Sequence, residues 1–131
     1  MNETRLNSHG VNSAIKAYIL PENKMREIGF TDYCKDNWYF CRCLQIPVSG
    51  KKNKIRYNND ISFNLTIPKD GSDIRIDVLD ENFCQPYDYQ HMLHKNPTFK
   101  FALNVKEQVE EWMEYLQGYG VLSGHNKGDY I

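Results

Sequence analysis

His91 and His94 form an H-x-x-H pair, and Cys84 stands seven residues before its first member. On a helix, positions i and i+3 share a face, so two imidazoles could meet one zinc ion with a thiolate as third ligand. Cys41 and Cys43, two apart in a strand-like run, would point the same way and could complete a tetrahedron. The same residues allow thiol chemistry. Cys84 precedes Pro86 at an expected strand-to-helix junction, where a helix N-terminus would lower a thiol pKa, and His91 or His94 could serve as base. Neither constellation is complete. No C-x2-C pair, G-x-S-x-G elbow, glycine-rich phosphate loop, H-E-x-x-H or calcium loop occurs, and Asp77, Asp80, Glu81 and Asp88 read as strand and turn residues. The simpler reading is buried thiols behaving as small apolar groups, with histidines half exposed on a surface helix. No catalytic residue, resident metal or cofactor is therefore assigned.

Charge is the other source of function. Lysine and arginine number 16 against 17 acidic residues, a net charge of −1, which gives no polyanion-binding signature. That balance conceals a division: residues 1–69 carry +5 and residues 70–114 carry −6. Lys51, Lys52, Lys54 and Arg56, with Tyr57 beside them, fall at an expected tip between two strands. Such a tip can track phosphates and stack a base, or simply keep a sheet edge soluble. Glu107, Glu110, Glu111 and Glu114 line what reads as the solvent side of the longest helix and could meet a basic partner.

These side chains need elements to hold them. Ala14–Leu20 reads as a strand, Pro21–Ile28 as a short helix stopped by Gly29, and Trp38–Ile46 as a strand closed by Pro47. Residues 61–67 alternate without a fault, Ile61, Phe63, Leu65 and Ile67 against Ser62, Asn64 and Thr66. Ile74, Ile76 and Val78 repeat the pattern after a loop containing Asp70-Gly71, which predicts a hairpin with one buried face. Residues 86–95 suggest a short helix. Leu103, Val105, Val109, Trp112, Met113 and Leu116 then recur at helical spacing, with Gly118 and Gly120 as the stop.

The fold expected is α+β: an antiparallel sheet of three to four strands built as hairpins, with helices packed on one face, including a long amphipathic C-terminal helix. Residues 1–13 read as a flexible polar N-terminus, 14–122 as one domain and 123–131 as a flexible tail. No export signal and no long apolar run are visible, so four reduced cysteines in a cytoplasm are expected, with no membrane association. Abundant asparagine and lysine suggest an A/T-rich bacterial, phage or mobile-element gene. The leading function is a non-enzymatic binding or regulatory module, monomeric or homodimeric, whose partner is another protein or, through the basic hairpin, a nucleic acid. A thiol-dependent enzyme using Cys84 is the alternative, and a zinc-stabilised module the third reading.

Overall fold

The alternation of residues 61–67 becomes the centre of a sheet. A computed structural model describes residues 2–6 (backbone only), 15–48, 55–81 and 83–125. In chain order its elements are β1 (Asn2–Leu6), β2 (Lys16–Ala17), α1 (Glu22–Ile28), β3 (Asn37–Cys43), β4 (Ile46–Val48), β5 (Arg56–Asn58), β6 (Ser62–Pro68), β7 (Ile74–Asp80), β8 (Gln85–Pro86), α2 (Tyr89–Lys95), α3 (Lys100–Gly118) and β9 (Leu122–Ser123).

The main sheet runs β3-β6-β7-β1-β2-β9, with β8 also paired to β7. Its ladders are antiparallel except that β1 runs parallel to β7. The hairpin of β6 and β7 forms as its alternation requires. Its reversal places Gly71 at φ +87°, and the Asp70 carboxylate accepts from the Ser72 backbone N–H at 2.9 Å.

Register decides which side chains meet. Trp38 lies opposite Ile67; Phe40 opposite Leu65, which is opposite Ile76; and Arg42 opposite Phe63, which is opposite Val78. The apolar members of this set are buried with Ala102, Val105, Val109, Met113 and Leu116 of α3, Leu93 of α2, and Met25 and Ile28 of α1. The Phe40 ring joins sheet to helix, at 6.3 Å from Phe63, 5.7 Å from Trp112 and 6.0 Å from Tyr115. The α+β architecture, an antiparallel sheet sealed on one side by a long C-terminal helix, is thus established.

Helix stops follow local chemistry. Gly29 ends α1 at φ +123°, a conformation other residues adopt only with strain. After α3, the Gly120 N–H donates to the Gln117 carbonyl and the Val121 N–H to the Leu116 carbonyl, closing the last turn and burying Val121.

Several expectations need correction. Residues 2–6, expected to be loose, form β1, because a polar strand can still satisfy its backbone N–H and C=O groups along β7 and β2. The expected strand at 14–20 shortens to two paired residues, Lys16 and Ala17. The chain is also held beyond residue 122. Ser123 pairs with Lys16, and the Gln117 side-chain amide exchanges hydrogen bonds with the backbone of His125, which is buried. The strand beginning at Trp38 leaves the main sheet after Cys43. The Leu44 N–H still reaches the Ile61 carbonyl, but Ile46 starts a separate two-stranded ribbon.

Candidate functional site

That ribbon places part of the basic cluster. β4 and β5 pair Ile46 with Asn58, Pro47 with Tyr57 and Val48 with Arg56. Its base is fixed in two ways. Ile46 is fully buried, and Gln108 of α3 grips the backbone of Gln45, its Oε1 accepting from the N–H at 3.1 Å and its Nε2 donating to the carbonyl at 2.7 Å. Val48, Ile55, Arg56 and Tyr57 are exposed, so two aliphatic groups, an aromatic ring and a cation share one short ribbon. Lys51, Lys52 and Lys54 lie outside the described residues.

The acidic helix face is smaller than its spacing suggests. Glu107, Glu111 and Glu114 are exposed, but Glu110 is only 4% exposed. At about 100° per residue, Glu110 shares a side of α3 with Gln117, two turns on. At Gln117 the chain after the helix folds back, its side-chain amide bonding the backbone of His125. The expected row of four carboxylates is a row of three.

The thiol and zinc arrangements do not assemble as the spacing suggests. Cys84 sits exposed in the turn after β7, its N–H within reach of the Asp80 carbonyl at 3.1 Å. β8, Tyr87 and Asp88 then separate it from α2, whose first turn is capped by Asp88 accepting from the His91 N–H at 3.0 Å. A carboxylate therefore occupies the helix terminus that was to activate the thiol. His91 and His94 are exposed on α2. Among the described residues, no group of three or more His, Cys, Asp and Glu side chains gathers where a metal could be held, so the tetrahedron of Cys84, His91, His94, Cys41 and Cys43 does not form. All four cysteines are exposed, not buried as small apolar groups, because they fall in turns or on the outward side of β3, and no disulfide joins them.

A groove that the spacing did not announce opens at the edge of the sheet, about 570 Å³ in volume. Thr31, Tyr33 and Cys34 form one wall, and Tyr39, Cys41, Asn64 and Thr66 come from β3 and β6, on the sheet face opposite α3. The loop wall is pinned by Asp32, which accepts from Arg26 at 2.7 Å and from Lys69 at 2.9 Å. Both cations also stand over the Trp38 ring, at 5.2 and 4.6 Å from its centroid. These two bonds hold the Asp32 carboxyl below its usual pKa, Lys69 having the larger effect.

Arg42 also lines the groove, although its position in β3 points it to the α3 side. Its guanidinium stacks 4.2 Å from the Phe40 centroid and 5.3 Å from Trp112, while Nη1 donates to the Cys41 carbonyl at 2.8 Å. Gly29 lets it in: a Cβ there would collide with Nη2 of Arg42. Partial burial of its thiol, assisted by neighbouring Cys43 and opposed by Arg42, pushes the Cys41 pKa up. The missed signal was parity, since Arg42 continues the inward series of Trp38 and Phe40, where a charge is out of place.

No helix among the described residues is long and apolar enough to cross a membrane. A crystal structure of a DUF1831 family protein from Lactobacillus plantarum is similar in fold, with a TM-score of 0.57 and 15% identity over 94% of this chain and 97% of that one. No protein-family model matches the chain, and no curated protein does.

Proposed function

We propose that the protein is a non-enzymatic binding module that engages another protein through the arm of β4 and β5. The carrying observation is the arm itself: a ribbon outside the main sheet, clamped at its base by Ile46 and Gln108, presenting Val48, Ile55, Arg56 and Tyr57 to solvent. Aromatic and arginine side chains on a pre-ordered element are the usual anchors of interfaces, because little conformational entropy is lost when they dock. The lysines at 51, 52 and 54 add positive charge to the same hairpin in sequence and favour an acidic partner surface. Glu107, Glu111 and Glu114 supply a second charged surface of opposite sign. A cytoplasmic setting agrees with this reading.

A photo-crosslinking residue in place of Tyr57 tests the proposal in native cells. A discrete protein adduct that survives nuclease treatment, and is absent when the crosslinker replaces Lys95 on α2, is the expected outcome. An adduct that disappears with nuclease would move the reading to nucleic acid, through Arg56 and Tyr57. Identical background from positions 57 and 95 would overturn it.

A further inference from the structure

The groove beside Arg42 has the components of a small-ligand site distinct from the arm. Its volume of about 570 Å³ lies within the range of small-molecule pockets. Of the described residues that line it, Arg42 alone carries a charge at neutral pH. The cation is placed rather than loose. The guanidinium lies over the Phe40 and Trp112 rings, the Cys41 carbonyl takes one donor, and the absence of a side chain at Gly29 admits its far end. Nearby cations behave differently: Arg26 pairs with Glu22 and Asp32, and Lys69 with Asp32, whereas no carboxylate among the described residues lies within ion-pair distance of Arg42. Tyr33 and Phe83, both exposed, add aromatic surface, and Thr31 and Thr66 add hydroxyl groups. A guanidinium fork with donors to spare, next to aromatic walls, recognises a planar oxyanion on a ring-sized body.

We infer that this groove binds a small aromatic carboxylate, the carboxylate docking on Arg42 and the ring lying between the loop carrying Tyr33 and the face of β3 and β6. The test is a titration of the full chain with benzoate, phenyl phosphate, benzyl alcohol and inorganic phosphate. It is followed by calorimetry and by the rate at which iodoacetamide alkylates Cys41. Benzoate is expected to saturate at or below about 10 mM, the weak end of specific binding. Benzyl alcohol and inorganic phosphate should bind at least about tenfold more weakly, since each lacks one of the two recognised parts. Phenyl phosphate should follow benzoate, because it shares both. Bound benzoate should slow alkylation of Cys41, which lines the groove, and leave Cys84, which does not, unchanged. Arg42→Gln should weaken benzoate at least about tenfold. If that variant fails to fold, protection of Cys41 in the unmodified protein by benzoate but not benzyl alcohol decides. No saturation, equal binding of benzyl alcohol, or inorganic phosphate matching phenyl phosphate would each overturn the inference.

Discussion

Replacing Gly29 with alanine probes a tight local fit between α1 and Arg42. Gly29 sits at φ +123°, and a side chain in such a conformation costs about 1–3 kcal/mol in backbone strain alone. The new Cβ would also collide with the Arg42 guanidinium and come within 3.3 Å of Phe40 Cε1. The guanidinium is the far end of a flexible chain, so it moves and the backbone stays. Moving it forfeits the stack on Phe40 and Trp112, about 0.5–1 kcal/mol for a part-exposed cation, and the bond to Cys41. Gly29→Ala should therefore cost about 2–4 kcal/mol in the native protein and only the backbone share, about 1–3 kcal/mol, when Arg42 is already alanine. A domain stable by about 5–15 kcal/mol still folds in all four combinations, so urea unfolding followed by circular dichroism can measure the cycle. The expected coupling is about 1 kcal/mol, with Gly29→Ala milder in the Arg42→Ala background. Additivity within about 0.3 kcal/mol would refute the claim that Gly29 is small for the sake of Arg42.

Two further outcomes follow from the same region. The Asp32 carboxyl, held below its ordinary pKa of 3.8 by Lys69 and Arg26, contributes stability that is present above that value and lost as pH falls through the lower folded-state pKa. Asp32→Asn should thus melt earlier than wild type at pH 7, with the gap closing below pH 3.8; a gap constant down to pH 2.5, about 1.3 units lower, would contradict this. The Cys41 thiol, raised above its ordinary 9.0 mainly by burial, should alkylate more slowly at pH 8 than glutathione, and its rate should still be climbing above pH 9. A fast Cys41, or any single cysteine reacting far ahead of the others near neutral pH, would instead favour thiol chemistry.

What the sequence could disclose depended on whether one element alone set the outcome. The β6–β7 hairpin was legible because Phe63, Leu65 and Ile67 alternate with polar neighbours and a Gly-containing turn leaves few other registers. The helix carrying Val109 and Met113 was legible for the same reason, its stripe being complete in one segment. Glu110 was misplaced because helical spacing places it with Glu107, Glu111 and Glu114, while the folded chain buries it. Cys84 was misplaced because a two-residue strand intervenes before α2, too short to leave a periodic trace. β1 was invisible, since its pairing uses backbone groups that every residue carries. The groove arises from β3, β6 and the loop after α1 together, and only the inward parity of Arg42 pointed to it.

The central claim is that recognition runs through the arm of β4 and β5. It is tested most directly by affinity capture from native cells with four proteins: wild type, Arg56→Glu with Tyr57→Ala, Glu111→Lys, and Arg42→Gln. The arm variant should lose the nuclease-resistant protein partner at least about tenfold, as expected when interface anchors are removed. Glu111→Lys should alter capture mainly at low salt, and Arg42→Gln should leave it intact. Full capture by the arm variant, with its fold intact by circular dichroism, would contradict the account.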